Sequence, residues 1–272
     1  MCIKDEVGHA IKVLRSQRVL VHNITNYVTV NDCANVTLAI GASPVMADEI
    51  LEVKEMVGIC KALVLNIGTC NERVIASMIE AGKEANAKNI PVILDPVGVG
   101  ATSFRHESAK QLMQSIRFSV IRGNMAEIKV IAGLQAQQAG VDSLEDERDG
   151  ARIASMLSQK LGCVIAITGK TDIVSDGNRT FELGNGDILL TKLTGTGCMT
   201  SSLIGSYLGS GASALLSAVA GISSMSIAGE IAAYSIGTEE KLGSFKVALM
   251  DAIGCMNEEI INEKIKIIET KQ

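Results

Sequence analysis

The sequence predicts an α/β protein with a largely parallel central sheet, and three observations support that prediction. Continuous apolar runs, such as those at 62–66 and 163–167, alternate with longer amphipathic stretches. Strands that alternate with helices are typical of βαβ units, in which the strands pair in parallel. Further along, the tight-turn sequence Asp176-Gly177-Asn178 separates two strand-like runs, which predicts one antiparallel hairpin beside the parallel strands.

Composition limits the number of domains and the classes of partner. The chain has 272 residues, of which 47% are hydrophobic, and it shows no linker, low-complexity tract or internal repeat. This favours a single domain over residues 1–272 with a substantial core. The formal net charge of -5 is mild, and no block of Lys or Arg forms a stripe that could follow a phosphodiester backbone. Nucleic acid is therefore not expected as a partner.

Cysteine spacing and hydropathy indicate the compartment. The seven cysteines stand singly, without CxxC pairs or histidines at metal-ligand spacing, so neither a disulfide framework nor a zinc site is predicted, and a reducing cytoplasm fits. The segment between Lys192 and Glu230 carries no charge and is long enough to span a bilayer. Gly209-Ser210-Gly211 interrupts it, which favours two short helices in a soluble core and no membrane partner.

Apolar and helical periodicities place the elements along the chain. An amphipathic helix over residues 1–18 comes first, and residues 45–47 form a short strand or loop. Buried strands are predicted at 19–22, 62–66, 91–94, 119–122 and 163–167. Helices are predicted at 31–40, 72–89, 105–116, 125–132 and 147–161. The hairpin strands are predicted at 172–175 and 179–183, and the chain after 197 is predicted to be helical, including 244–268.

Polar residues follow the predicted strands at the points where the strands end. Asn23, Asp95, Arg122 with Asn124, and Thr168 each come after an apolar run. The carboxyl ends of parallel strands share one edge of a sheet, where ligands bind. We therefore expect these side chains to surround one ligand site.

The stretch Gly195-Thr196-Gly197-Cys198 is expected at the same edge. Its two glycines free the backbone amides to turn toward one point, and the residues after them can begin a helix whose positive end faces that point. Such a loop binds anions, and partial positive charge there lowers the pKa of a cysteine thiol. The alternative interpretation is a glycine-rich turn with a buried cysteine.

The common nucleotide fingerprints are not met in these loops. The GKT at 169–171 lacks the glycine that a P-loop requires at position 164. Neither the GVG at 98–100 nor the GTG at 195–197 carries the third glycine of GxGxxG. A P-loop and a dinucleotide-binding motif are therefore not predicted.

Five segments, in this order, resemble the hydroxyethylthiazole kinases of the ribokinase-like family. They are HNITNYV from His22, DPVGVGAT from Asp95, RGNMAEI from Arg122, ITGKTDIVSDG from Ile167 and LTGTGCMTSSLIG from Leu193. The segment PVMADE at 44–49 is similar to the same kinases, and the resemblance covers nearly the whole chain. It implies a ribokinase-like fold, a three-layer αβα sandwich.

The resemblance also implies an activity and an assembly. The activity is ATP-dependent phosphorylation of the primary alcohol of 4-methyl-5-(2-hydroxyethyl)thiazole, a salvage step toward thiamine in the cytoplasm. The partners are then the thiazole alcohol and ATP, with Mg²⁺ as the metal. The family forms trimers with the thiazole pocket at subunit contacts, so we expect a homotrimer in which a neighbouring subunit closes the site.

Site residues follow from the motifs that match. The phosphate-holding loop, with Cys198 as the candidate base, consists of Gly195, Thr196, Gly197 and Cys198, whose amides suit the charge of phosphoryl transfer. Asp95 and Glu127 are similar to the carboxylates that organise Mg²⁺, partly through water. The nucleotide contacts are Arg122, Thr168 and Asn124. The thiazole contacts are Met46, Gly195, Asn23, Thr25 and Val28.

Cys198 departs from the sugar kinases of the superfamily, which carry Asp after GTG. A thiol with an ordinary pKa of about 8.5 is a poor base at neutral pH unless the helix end lowers it. Because the transition state of phosphoryl transfer is loose, a base contributes little before the alcohol oxygen begins to bond. We therefore expect Cys198→Asp to retain activity and Cys198→Ala to lose only part of it.

Three other functions remain open from the sequence. A hydroxymethylpyrimidine kinase shares the fold and the GTGC stretch. An ADP- or ATP-dependent dehydratase that repairs hydrated nicotinamide cofactors also uses this fold. A non-catalytic nucleotide sensor is the third, and ATP binding without alcohol-dependent ADP release would favour it.

Overall fold

The structure, a computed structural model, describes residues 2–134, 144–237 and 241–270, with only the backbone at 144–148. In this part of the chain, nine strands form one sheet. In chain order they are β1 (Leu20–Ile24), β2 (Ser43–Val45), β3 (Ala62–Asn66), β4 (Val92–Asp95), β5 (Val120–Asn124), β6 (Val164–Thr168), β7 (Asp172–Ser175), β8 (Thr180–Leu183) and β9 (Ile267–Thr270). Their spatial order is β2-β1-β3-β4-β5-β6-β7-β8-β9.

The strand pairings divide the sheet into a parallel part and an antiparallel part. Every pairing from β2 to β6 is parallel. The pairings from β6 to β9 are antiparallel, and β7 and β8 form the hairpin around Gly177, whose φ is +88°. The α/β prediction, with a mostly parallel sheet and an antiparallel hairpin, is therefore confirmed.

Helices cover both faces of the sheet, within the same described residues. They are α1 (Ile3–Ser16), α2 (Val30–Ile40), α3 (Val53–Ile59), α4 (Glu72–Ala87), α5 (Ser103–Ser115), α6 (Met125–Ile131), α7 (Leu144–Leu161), α8 (Leu189–Lys192), α9 (Thr196–Gly209), α10 (Ala214–Ile236), α11 (Leu242–Cys255) and α12 (Glu258–Lys264). The small helix α3 and the helix α8 were not predicted from the sequence.

Alternate residues of the central strands point into two separate hydrophobic cores. In β3, Val64 packs in the core with α1, α2, α9 and α10, whereas Leu63 and Leu65 pack in the core with α4, α5 and α7. A strand buried on both faces must be apolar throughout, which explains why these strands read as continuous apolar runs. The two cores on either side of one sheet give the three-layer αβα arrangement.

The uncharged segment forms two helices, as the sequence predicts, but the second, α10, has 23 residues and is not short. A Cβ atom on Gly221 of α10 would lie 2.7 Å from the backbone nitrogen of Ile204 in α9, so the close approach of these helices requires glycine there. Among the described residues, α10 alone is long and apolar enough to cross a membrane, and most of its apolar window, 72%, is buried inside the protein.

The predicted helix over 244–268 is wrong at its C-terminal end. α11 ends at Cys255, and α12 begins after Asn257, whose side chain accepts a hydrogen bond from the Ile260 amide. The last described residues form β9, which pairs antiparallel with β8. The Arg179 side chain binds the Glu269 carboxylate at 2.7 Å across this pair. Pairing with an open sheet edge thus overrides the helical periodicity.

Candidate active site

Asp95, the last residue of β4, lies at the centre of the polar strand ends and is fully buried. Its Oδ2 atom accepts hydrogen bonds from Asn66 Nδ2 and Ser201 Oγ, both at 2.8 Å. Its Oδ1 atom is buried with no hydrogen-bond partner among the described residues. Burial raises the pKa of Asp95, and the charge of Arg122, whose Nη1 lies 3.6 Å away, opposes that rise.

Arg122 lies against three other predicted site residues, Thr168, Gly197 and Asp95. It lies on β5, is only 9% exposed, and donates from Nη2 to the Oγ1 atom of Thr168 at the end of β6. A Cβ atom on Gly197 would lie 2.6 Å from Arg122 Nη1, so the guanidinium packs directly against the GTGC loop. A guanidinium that is fixed in this way can offer its fork to phosphate oxygens.

Glu127 and Asn124 form the N-terminal cap of α6. Asn124 Oδ1 accepts from the Glu127 amide at 2.9 Å, and Glu127 Oε2 accepts from the Asn124 amide at 2.8 Å. Glu127 Oε1 also accepts from the Gly98 amide at 2.8 Å, which fixes the loop after β4. The negative charge of Glu127 further raises the pKa of Asp95, because the two carboxylates lie on the same side of the site.

These carboxylates fit a magnesium ion that arrives with a nucleotide. Asp95 Oδ1 has no partner, and each oxygen of Glu127 keeps lone pairs beyond the one that an amide occupies. Across the described residues, no group of three or more His, Cys, Asp or Glu side chains could hold a metal by itself. Magnesium is commonly held by one or two carboxylates together with substrate phosphates and water, so this donor set is sufficient.

The GTGC loop begins helix α9. Gly195 is the N-cap residue with φ +94°, and a Cβ atom there would lie 2.6 Å from Thr29 Cγ2, so glycine is required for both conformation and space. Thr196 donates from Oγ1 to the Leu190 carbonyl at 3.0 Å. The amides of the first helical turn have no partner within the helix, and Arg122 packs against this turn at Gly197.

The thiol of Cys198 lies between two side-chain amides. Its Sγ atom accepts from Asn26 Nδ2 at 3.3 Å and from Asn66 Nδ2 at 3.2 Å. Burial raises the pKa of Cys198, and the charge of Asp95 adds to this, although the amide donors oppose it. The expectation that the helix start lowers this pKa is therefore wrong in direction.

A cavity of about 230 Å³ opens beside this network. Three of the predicted thiazole contacts, Asn23, Thr25 and Met46, line it. Val28 does not line the cavity and is 58% exposed, whereas Val30, on the first turn of α2, does line it. Gly195 lies outside the lining as well, against Thr29.

Known proteins resemble this chain over almost its whole length. The sequence profile of the Hydroxyethylthiazole kinase family matches residues 11–259. A hydroxyethylthiazole kinase of Alkaliphilus oremlandii is 52% identical over 270 residues, which covers 99% of this chain and 100% of that protein. The chain belongs to the hydroxyethylthiazole kinase family.

Other members of the hydroxyethylthiazole kinase family agree in sequence and in fold. A hydroxyethylthiazole kinase of Methanocella arvoryzae is 48% identical, covering 93% of this chain and 94% of that protein. The structure of a hydroxyethylthiazole kinase protein from Pyrococcus horikoshii superposes with a TM-score of 0.89 at 36% identity, covering 97% and 99% of the two chains. A pyridoxal kinase of Staphylococcus aureus shares the fold, with a TM-score of 0.59 at 15% identity over 79% of this chain and 89% of that one.

The structure adds residues to this family member's site that the sequence reasoning missed. Asn66 ends β3 and meets the same criterion as the predicted residues, a polar residue closing a buried strand, so that signal could have found it. Arg105 of α5 donates to the carbonyls of Ile67 at 2.7 Å, Val97 at 2.8 Å and Gly68 at 2.6 Å, which ties the loops after β3 and β4 together. No sequence pattern indicates that role.

Asp172, at the start of β7, is a second buried carboxyl near Arg122. Its Oδ1 atom accepts from the Gly169 amide at 3.0 Å, and its Oδ2 atom accepts from Ser226 Oγ at 3.2 Å. Burial raises the pKa of Asp172 to about 6, against the opposing effect of the Gly169 hydrogen bond and the charge of Arg122. The carboxyl thus holds the loop that follows Thr168 while its charged form is disfavoured.

We expect Asp172→Asn to stabilise the protein at pH 7.5 by up to about 3 kcal/mol and to change its stability much less at pH 4. The folded protein binds the Asp172 proton more tightly than the unfolded chain, so this carboxyl makes the fold less stable as the pH rises from about 4 to about 6. Urea unfolding at both pH values measures the difference, with Asp251→Asn, an exposed carboxyl on α11, as the control. An equal effect at both pH values would contradict this origin.

Proposed function

We propose that this chain transfers the γ-phosphoryl group of ATP to the hydroxyl of 4-methyl-5-(2-hydroxyethyl)thiazole in thiamine salvage. Membership of the family indicates the reaction, and one structural observation supports where the two substrates would bind. Asn66 lines the 230 Å³ cavity and also donates to Cys198 in the first turn of α9. The cavity and the anion-binding loop are therefore adjacent, as an alcohol and the phosphate it attacks must be.

The nucleotide end of the proposed site brings a cation and a carboxylate close together, since Arg122 Nη1 lies 3.6 Å from Asp95 Oδ2. The amides of Gly195 to Cys198 and the guanidinium of Arg122 would bind the oxygens of the transferred phosphate. Thr168 and Asn124 would extend the nucleotide contacts along the neighbouring strand ends. Asp95 and Glu127 would hold Mg²⁺, which, when bound, neutralises negative charge on the phosphate oxygens.

The acceptor end would place the thiazole in the cavity lined by Asn23, Thr25 and Met46. A small neutral heterocycle requires an apolar wall and a few hydrogen-bonding groups, and this lining supplies both. His22 Nε2 donates to the Ala47 carbonyl at 2.7 Å and so holds the Met46 segment beside β1. Cys198 would receive the hydroxyl proton only in its thiolate form, which burial disfavours, and it would do so late, after the oxygen has begun to bond to phosphorus.

Cys198→Asp is expected to keep kcat within about tenfold of the wild type, and Cys198→Ala is expected to lower kcat by about tenfold. The same two amide donors, from Asn26 and Asn66, can hold a carboxylate oxygen where they now hold sulfur. Steady-state rates with saturating ATP measure the effect. A complete loss of activity in Cys198→Asp, with ATP binding intact, would show that the thiol itself is required.

We further propose a cytoplasmic homotrimer in which the single domain over 1–272 has its cavity closed by a neighbouring subunit. Tyr27, which lines the cavity, is 78% exposed, and Val28 beside it is 58% exposed. Exposed apolar side chains at a ligand site favour a covering partner. Sedimentation of the active enzyme measures the assembly. A fully active monomer would overturn the trimer without affecting the kinase assignment.

ADP release coupled to acceptor phosphorylation tests the proposed function. The panel contains the thiazole alcohol, hydroxymethylpyrimidine and pyridoxal, each with ATP and Mg²⁺. We expect the thiazole alcohol to give the highest kcat/KM. Activity confined to hydroxymethylpyrimidine would overturn the assignment, and ATP binding without release of ADP for any acceptor would indicate a nucleotide-binding protein instead.

A further inference from the structure

The carboxamide of Asn66 is the one side chain among the described residues that hydrogen-bonds to both Asp95 and Cys198. Asn66 is only 2% exposed at the end of β3. Its Nδ2 atom donates to Asp95 Oδ2 at 2.8 Å and to Cys198 Sγ at 3.2 Å. One hydrogen of the amide nitrogen is thereby donated to Asp95 and the other to Cys198.

The orientation of this carboxamide is fixed by backbone donors. The Thr29 amide donates to Asn26 Oδ1 at 3.1 Å, so the Nδ2 atom of Asn26 must face the site. That Nδ2 atom donates to Asn66 Oδ1 at 3.0 Å, and the Gly68 amide donates to the same oxygen at 2.9 Å. With two donors on its oxygen, Asn66 can only present its nitrogen to Asp95 and Cys198.

This fixed amide determines where a hydrogen can lie on Cys198 and which oxygen of Asp95 remains free. Cys198 Sγ accepts from both Asn26 and Asn66, so its own hydrogen, or the hydroxyl proton it receives, lies away from the two amides. On the Asp95 carboxylate, Asn66 and Ser201 both occupy Oδ2. Oδ1 therefore remains free for a ligand.

We propose that Asn66 is a positioning residue for phosphoryl transfer, which holds the thiol of Cys198 and the carboxylate of Asp95 in one fixed relation. This proposal rests on the proposed kinase function and deepens it. Asn66 acts through the two groups it binds, and Asp95 keeps its charge when Asn66 is replaced, so we expect the loss of Asn66 to be felt more in the chemical step than in nucleotide affinity. Since residues that act as a unit are non-additive, its effect also depends on Cys198 being present.

The experiment is a double-variant cycle of Asn66→Ala and Cys198→Ala, read as kcat and as KM for ATP. We expect Asn66→Ala to lower kcat by about tenfold with KM for ATP changed less than about threefold. In the Cys198→Ala background the same change is expected to lower kcat by less than about fivefold. Asn66→Ser, which is uncharged and keeps a hydroxyl on this side chain, serves as a second variant should Asn66→Ala fail to fold, and the same loss of kcat is expected from it.

Asn185→Ala is the matched control. Asn185 is equally buried and makes three hydrogen bonds, to Glu230, to the Lys264 carbonyl and from the Lys266 amide, but it contacts none of the site residues. It should lower the melting temperature and leave kcat unchanged. A kcat loss that is the same in both Cys198 backgrounds, or one that Asn185→Ala reproduces, would overturn the positioning role. An inactive wild type would instead overturn the proposed function.

Discussion

Asp95→Asn is expected to lower kcat by about two to three orders of magnitude while the protein remains folded. The substitution preserves the shape of the side chain but removes the one negative charge that β4 brings to the centre of the site. It also turns the unpartnered Oδ1 position into an amide that cannot take the place of a carboxylate toward a cation. Steady-state kinetics over a range of Mg²⁺ concentrations measure the loss.

A binding measurement separates this role from a general loss of structure. We expect Mg²⁺ to increase the affinity for a fluorescent ADP analogue in the wild type, and we expect that increase to be largely lost in Asp95→Asn. Asp32→Asn is the control, because Asp32 on α2 is also an ion-paired carboxylate, with its Oδ1 atom 2.7 Å from Lys246 Nζ. If Asp95→Asn keeps both its kcat and its Mg²⁺-dependent nucleotide binding, Asp95 is not the metal-binding carboxylate.

The neighbourhood of Asp95 could be predicted from the sequence because it follows from sheet geometry. Parallel strands end at one edge, so a polar residue after each apolar run must lie near the others. That rule located Asp95, Arg122 and Thr168, and the structure brings all three together through Arg122. The rule depends only on the direction of the strands. The alternation of strands and helices along the chain indicates that neighbouring strands are parallel.

How deeply each polar residue is buried could not be predicted in this way. Two strands, β1 and β5, end two residues later than predicted, so Asn23 is buried inside a strand and Asn124 caps α6 instead of lying in a loop. A strand that extends further along the chain carries its polar residue into the sheet, where neighbouring elements bury it. Sequence periodicity does not place strand ends accurately enough to show this.

The properties of Cys198 depend on groups that are distant in sequence. Its position at a helix start is visible in the GTGC stretch and predicts a lowered pKa. The burial that raises that pKa comes from packing between β1, β3 and α9, and the negative charge comes from Asp95, about a hundred positions earlier in the chain. A local motif therefore gave the location of the thiol correctly and the direction of its pKa shift wrongly.

β9 illustrates the same dependence on distant partners. Within residues 258–268, Ile261, Ile265 and Ile268 follow the i, i+4, i+7 spacing that suits one face of a helix. The strand forms because β8 leaves an open edge and because Ile267 and Thr270 are β-branched, which favours the extended backbone. Only the position of that edge, which the fold creates, decides between the two structures.

Gly197→Ala is expected to lower kcat/KM for ATP by about hundredfold while the protein remains folded. Gly197 lies in the first turn of α9 without a positive φ, so alanine suits its backbone. The added methyl group would, however, lie 2.6 Å from Arg122 Nη1 and 2.9 Å from Nη2. The guanidinium is held by Thr168 and Asp95, so it can give way only by leaving those partners.

Two further variants distinguish this cause from a general effect of methyl groups in helices. Gly254→Ala on α11 adds the same methyl group where no atom lies within 4 Å, and it should leave kcat/KM unchanged. In an Arg122→Ala background there is no guanidinium to displace, so Gly197→Ala should then cost much less than in the wild type. If its cost is undiminished there, the methyl group acts on the amides of the anion loop directly, and Arg122 does not transmit the effect.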